Sequence, residues 1–261
     1  MDFSYSKAAL AAKLVLEECG LEDPSGYPIS EIILGRKAFY EEVPLEGKEG
    51  EIVSYRGKSI IQVNSNIQFE SKKRFAAAHE LGHYEMHRNL HPVFSDTEED
   101  LMNWYKAGPQ EMEANEFASE FLMPSEKFYY ECERKKFGPE VIEHLAHRFL
   151  VSKTATILKF VQMGNHPVAV VYCKDNLMKW FKVSKDFRYF LEFIRDRTPP
   201  EDSVAYELFT TNKVYVGDEL KQEIWKSDWF RMRDDEDDSK FFEYCLFVKS
   251  FNYSISVIWE K

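Results

Sequence analysis

The sequence predicts an α+β protein, and two observations lead to this class. Helix candidates occupy most of the chain up to Gly164, with one β-hairpin among them, and β-prone runs follow. The change from helix candidates to β-prone runs places one domain boundary near residue 165. Pro124 ends a strong helix candidate, so we place another domain boundary near residue 125. The predicted organisation is a first domain over 1–125, a helical segment over 126–165 that is similar to a helix-turn-helix, and a C-terminal α/β domain over 166–261.

Charge and composition exclude several classes of protein. The 261 residues carry 34 Lys and Arg against 45 Asp and Glu, a formal charge of −11, and 44% are apolar. This apolar content excludes wholesale disorder, and the acidic balance argues against broad binding to nucleic acids or anionic membranes. We find no signal peptide and no apolar stretch of the roughly 18 residues that a membrane span needs, so we expect a cytoplasmic protein. The four scattered cysteines are expected to be free thiols.

The elements of the first domain follow from the spacing of its apolar residues. Helices are predicted over 5–19, 71–87 and 110–123. Residues 29–34 are expected to form a helix or a short strand, and two β-prone runs at 51–55 and 59–64 predict a hairpin. Residues 91–109 are rich in residues that favour loops, and we predict a loop there.

Further helices are predicted over 125–136 and 139–163, the second with a turn near Ser152 that is typical of a helix-turn-helix. The helix after this turn offers only Lys153 and Lys159 as basic residues, which is poor for reading bases. Direct DNA binding is therefore not expected. We expect this segment to pack behind the first domain or to dock a substrate.

The C-terminal domain is read mainly from short β-prone runs, which lie at 168–173, 178–183, 213–216, 245–248 and 253–259. A helix is predicted over 186–196. Four tryptophans are expected in the core: Trp180, Trp225, Trp229 and Trp259. No motif of this domain indicates its role.

The HExxH motif at residues 79–83 lies in a predicted helix and indicates a metal site. His79 and His83 are one turn apart, so both imidazoles face the same side and can bind one cation. Glu80 lies about 100° round the helix, where it can reach a water on that cation without being a ligand. The alternative is a helix with two surface histidines.

Two histidines do not complete a catalytic zinc site, which takes three protein ligands and leaves a position for water. Met86 and Asn89 stand where the longer HExxHxxGxxH pattern has Gly and His, which excludes that pattern. The alternative is a glutamate from the helix over 110–123, which offers Glu111, Glu113, Glu116 and Glu120. Asn115 lies one turn after Glu111 and is placed to orient a ligating histidine.

Residues 74–83 read RFAAAHELGH, and residues 111–124 read EMEANEFASEFLMP. Together with the strand candidate SIIQVN at 59–64, these motifs resemble the ImmA/IrrE family of zinc metallopeptidases. The resemblance covers roughly residues 5–165. It implies a zincin-like core, often followed by a helix-turn-helix-like segment. Studied members of the family cleave DNA-binding repressors.

The resemblance also implies a role for each matched residue. His79, His83 and Glu111 are the implied metal ligands, with Glu113 as the rival third ligand, and Glu80 is the implied general base. This ligand set suits Zn²⁺, and Mn²⁺ is the alternative. Zinc lowers the pKa of a bound water to about 7, and Glu80 takes its proton. The hydroxide attacks a peptide carbonyl, and Glu80 returns the proton to the leaving amine.

Three further expectations concern Glu113, the oxyanion and the substrate. If Glu113 is not the ligand, we expect its side chain to point toward Phe117 and the core. Four side chains nearby in sequence are candidates for stabilising the oxyanion, each with a structural role as its alternative: Tyr84, His87, His91 and Tyr105. The strand at 59–64 is expected to offer its edge to an extended substrate peptide.

The predicted function is a zinc-dependent endopeptidase that hydrolyses a specific intracellular protein, a helix-turn-helix repressor. The alternative is a non-catalytic regulatory protein that docks a repressor and uses its metal structurally. The intact Glu80 favours the enzyme, because a purely structural site needs no base. The sequence predicts no membrane partner and does not determine the oligomeric state.

Overall fold

A computed structural model describes residues 5–87, 108–133, 135–211 and 213–261. The chain divides into two compact units, the first formed by Met1–Glu131 and Leu145–Ser152, the second by Cys132–His144 and Lys153–Lys261. The predicted helical segment 126–165 contributes to both units, and the three-domain division stays a prediction. No helix within the described ranges is long and apolar enough to cross a membrane.

The first unit is built from helices around a small sheet. Its elements are α1 (Lys7–Glu18), α2 (Ile29–Gly35), β1 (Ala38–Val43), β2 (Gly50–Tyr55), β3 (Lys58–Asn64), α3 (Glu70–His87), α4 (Pro109–Leu122) and α5 (Ser125–Cys132). The predicted helices and the hairpin are present, and strand β1 was not predicted. Most of the predicted loop at 91–109 lies outside the described residues.

The sheet of the first unit has the order β1-β3-β2. Strand β3 pairs in parallel with β1 and antiparallel with β2, so both of its edges carry backbone hydrogen bonds. The expectation that residues 59–64 offer an edge to a peptide is therefore wrong. The physical reason is the unpredicted strand β1, which covers the side of β3 that a lone hairpin would leave open. Among the described strands, β2 and β1 are the edges.

Helices α3 and α4 pack closely because small residues line their contact. Ala77 and Ala78 on α3 and Ala114 and Ala118 on α4 are fully buried. Gly82 lets the two helices lie close together, since a Cβ there would lie only 3.0 Å from Cδ1 of Phe117 on α4. This close approach brings the side chains of α4 within reach of the histidines of α3.

Helix α6 (Pro139–Phe149) and helix α7 (Lys153–Met163) follow, separated by a short turn as predicted. Leu150 enters this turn with a φ of 54°. In the last turn of α6, the Arg148 guanidinium donates to Asp23 at 2.9 Å and to Ser25 at 2.7 Å. Burial raises the pKa of Asp23, but hydrogen bonds from Arg148 and Ser25 outweigh it and hold the pKa at about 2.

The second unit contains a five-stranded sheet of order β5-β4-β8-β7-β6, in which every pairing is antiparallel. This unit is therefore an α+β arrangement rather than a parallel α/β one. Its elements after α7 are β4 (Ala169–Lys174), β5 (Leu177–Val183), α8 (Val204–Thr210), β6 (Lys221–Trp225), α9 (Lys226–Trp229), β7 (Lys240–Val248) and β8 (Tyr253–Glu260).

Two elements predicted for the second unit are wrong. Residues 186–196 form no helix, because alternate residues, not helically spaced ones, pack on the core. Phe187, Tyr189, Leu191 and Phe193 lie against the core, whereas Phe190 between them is 76% exposed. The predicted strand at 213–216 is irregular chain with Val214 and Val216 exposed, and the edge strand is β6 instead.

Three of the four tryptophans are buried as predicted: Trp180, Trp229 and Trp259. Trp225 is 47% exposed, which contradicts the prediction. It ends the edge strand β6, where its ring lies under the ammonium group of Lys240. The four cysteines are free, as predicted.

Glu243 on β7 is fully buried and accepts four hydrogen bonds. The donors are the backbone N–H groups of Val204 and Ala205 at 3.0 and 3.1 Å, the indole N–H of Trp229 at 3.0 Å and the hydroxyl of Ser256 at 2.6 Å. The carboxyl group thereby ties the start of α8 to the sheet, and we assign it a structural role.

Candidate metal centre

His79, His83 and Glu111 converge at the contact between α3 and α4. Nε2 of His79 and Nε2 of His83 lie 2.9 Å apart, and Oε2 of Glu111 lies 3.2 Å from the first and 3.3 Å from the second. Atoms bound at 2.0–2.1 Å to a tetrahedral zinc lie about 3.3–3.4 Å from one another. The three separations therefore fit one small cation.

The environment of His79 supports this fit. Its Nδ1 lies 3.0 Å from Oδ1 of Asn115, an acceptor, so Nδ1 carries the proton and Nε2 has the lone pair. That lone pair faces the carboxylate oxygen of Glu111, which has no hydrogen to donate when ionised. Two lone pairs at 3.2 Å repel unless a cation lies near both. The sequence placed Asn115 in this orienting position.

His83 is fully buried, and burial lowers its pKa against the opposing effect of Glu111. The neutral imidazole is favoured, which is the form that ligates a metal. Its Nδ1 lies 3.0 Å from Nδ1 of His87, and Nε2 of His87 lies 2.8 Å from Oε2 of Glu113. Glu113 therefore contacts His87 and not the three converging atoms. The expectation that it points toward Phe117 is wrong.

Glu80 is 1% exposed and lies beside the first residue of β2. A Cβ on Gly50 would lie 2.8 Å from Cγ and 2.9 Å from Oε1 of Glu80. Only a glycine lets the strand come this close to the side chain. Sequence reasoning missed Gly50, and the one signal that could have found it is a glycine at the start of a strand.

Two of the four candidates for stabilising an oxyanion, Tyr84 and His87, lie among the described residues and contact other groups. The Tyr84 hydroxyl donates to the backbone oxygen of Arg36 at 3.2 Å, and His87 lies between His83 and Glu113. Both side chains are thus held by other contacts. His91 and Tyr105 lie outside the described residues.

Two comparisons with known proteins concern the whole chain. No curated protein matches this chain. A solved structure titled "Mycobacterium tuberculosis transcriptional regulator" has a TM-score of 0.63 at 13% identity, covering 97% of this chain and 75% of that one. At this identity the likeness concerns the fold alone.

The family comparison covers the candidate site itself. Residues 34–160 match the model of peptidase family M78, described as "IrrE N-terminal-like domain". The match includes all three converging residues and Glu80, and it confirms the resemblance drawn from the sequence. This chain therefore contains an IrrE N-terminal-like domain of peptidase family M78, matched over residues 34–160.

Proposed function

We propose that this protein is a zinc-dependent endopeptidase that cleaves a specific intracellular protein, a DNA-binding repressor. The observation that carries the proposal is the triangle of His79, His83 and Glu111 atoms, no side longer than 3.3 Å, with the buried carboxyl group of Glu80 on the same helix. Zinc is proposed as the metal and Mn²⁺ as the alternative. Direct DNA binding is not proposed, and a cytoplasmic location stays a prediction.

In this mechanism His79, His83 and Glu111 hold the ion, and Asn115 keeps His79 in the ligating tautomer. A zinc ion held there would polarise a peptide carbonyl and lower the pKa of water to about 7. Glu80 takes the proton from the attacking water, and the same carboxyl group then gives it to the amine of the broken peptide bond. Burial of Glu80 limits exchange of that proton with bulk solvent.

Strand β2 supplies a docking edge beside this machinery. It begins at Gly50 against Glu80 and, among the described strands, pairs only with β3. An extended substrate segment could add a strand to it, with its carbonyl groups passing Glu80. Proline placed singly at each position from 51 to 54 tests this, because at least one variant should raise KM. Unchanged KM in all four would exclude docking on β2.

The proposal is tested on the full chain with Glu80→Gln and with Glu116→Gln as the matched control. Glu116 is exposed on α4, so its substitution makes the same change of charge away from the site. Metal content is measured by mass spectrometry, and new protein N-termini are mapped in cells that express each form. We expect zinc in all three proteins, and new N-termini with the wild type and Glu116→Gln only.

Two results would contradict the proposal. Wild-type protein that binds neither zinc nor manganese would remove the metal site. Zinc-loaded protein that gives identical N-termini with and without Glu80→Gln would instead support the alternative, a regulatory protein that docks a repressor and holds its metal structurally.

A further inference from the structure

We propose that His87 and Glu113 are positioning residues that hold His83 with the lone pair of its Nε2 directed at the metal site. This inference rests on the proposed zinc site and deepens it. Neither residue belongs to the HExxH motif. In the sequence, His87 was one of four oxyanion candidates, with a structural role as its alternative, and Glu113 was the rival third ligand.

The chain of contacts determines the tautomers one after another. An ionised Glu113 only accepts hydrogen bonds, so Nε2 of His87 at 2.8 Å donates to it. Nδ1 of a neutral His87 then carries the lone pair and accepts from Nδ1 of His83 at 3.0 Å. The remaining nitrogen of His83, Nε2, is left with its lone pair toward Nε2 of His79 and Oε2 of Glu111.

The two ligating histidines therefore receive equivalent support from the same helix. Asn115 on α4 holds the proton of His79 on Nδ1, and Glu113 on α4 does so for His83 through His87. Helix α4 thus contributes Glu111 as a ligand together with the groups that set both tautomers. In a chain that lacked this support, the proton of His83 would be free to occupy Nε2, where it would compete with the metal.

The burial of His87 and Glu113 predicts how strongly each residue affects metal affinity. His83 and His87 are 0% and 1% exposed, so water does not replace a lost hydrogen bond between them. The side chain of Glu113 is 37% exposed, so water can substitute in part for its carboxylate. We therefore expect a larger effect on metal affinity from changing His87 than from changing Glu113.

The experiment measures zinc affinity of the full chain by competition with a chromophoric chelator, and the absorption spectrum of the Co²⁺-loaded protein. His87→Phe keeps a ring but removes both nitrogens, and we expect zinc affinity to fall by about 10- to 100-fold. His87→Asn returns an acceptor near the position of Nδ1 and should recover most of that loss. Glu113→Ala should lower affinity by about 10-fold, the smaller end of the range. Glu116→Gln should leave affinity and spectrum unchanged.

The outcomes separate this inference from the proposed function. If the wild type binds neither zinc nor manganese, the proposed function fails and the inference falls with it. If the wild type binds zinc while His87→Phe and Glu113→Ala bind it within twofold and give the same Co²⁺ spectrum, only the inference is overturned. Equal losses in His87→Phe and His87→Asn would also overturn it, because they would indicate a packing role. Should His87→Phe not fold, Glu113→Ala at its half-exposed position decides.

Discussion

Replacement of Gly50 by alanine should disable catalysis while leaving the metal and the fold in place. The new Cβ would lie 2.8 Å from Cγ and 2.9 Å from Oε1 of Glu80, whereas unstrained contacts between carbon atoms lie at about 3.5–4.0 Å. The carboxyl group must therefore move by about 0.7–1.2 Å. The φ of Gly50 is not in the left-handed region, so the backbone itself accepts alanine.

The size of the effect follows from that displacement. A misplacement of about 1 Å in a catalytic group can lower the rate by about 100-fold. Zinc affinity should be unchanged, because the three converging ligand atoms belong to other residues. An added methyl group in a rigidly packed site lowers the free energy of unfolding by about 1–3 kcal/mol. Rotation of the Glu80 side chain would reduce this loss of stability.

The assay measures kcat on the substrate identified by its new N-terminus, with zinc content and thermal unfolding recorded on the same samples. Gly35→Ala is the matched control, since a Cβ there meets no atom within 4 Å. The reasoning fails if Gly50→Ala cleaves at the wild-type rate. Loss of zinc from Gly50→Ala would show that the strand does more than limit the space of Glu80.

Three further predictions concern packing, pH and the second unit. Gly82→Ala places a Cβ 3.0 Å from the buried ring of Phe117 and should weaken zinc binding by separating α3 from α4; unchanged affinity in chelator competition would contradict this. Asp23→Asn should lower the free energy of unfolding in urea at pH 7. Because the pKa of Asp23 is about 2 in the folded protein against an ordinary 3.8, the difference in unfolding free energy between variant and wild type should shrink as the pH falls from about 4 to 2. A difference that stays constant over that range would refute the linkage. Glu243→Gln sets an amide N–H₂ against donors and should cost about 1–3 kcal/mol in urea unfolding, with zinc content as the control.

The sequence determined the part of the site that depends on one helix. The spacing of His79 and His83 makes them share a face in any α-helix, and Glu80 is offset from them by the same period. The helices that carry these residues and Glu111 are local features, set by apolar spacing and by residues that end helices. They were predicted close to their observed bounds.

The predictions fail where the spacing of apolar residues along the chain does not determine how a segment packs. Over 186–196 the apolar residues can be read at helical or at alternate spacing, and the core of the second unit takes the alternate residues. Strand β1 was not predicted, so the central position of β3 was missed. Strand order depends on residues far apart in the chain, which a local pattern does not contain.

Helical spacing left Glu111 and Glu113 open as the third ligand, and only the family resemblance favoured Glu111. The tertiary structure alone shows where each carboxylate lies, because both residues belong to the first turns of α4. The close approach of α3 and α4, permitted by Gly82 and the buried alanines, puts Glu111 at His79 and His83 and puts Glu113 at His87. Residue types and helical period predict which groups can bind a metal, whereas the fit of two helix surfaces determines which of them meet.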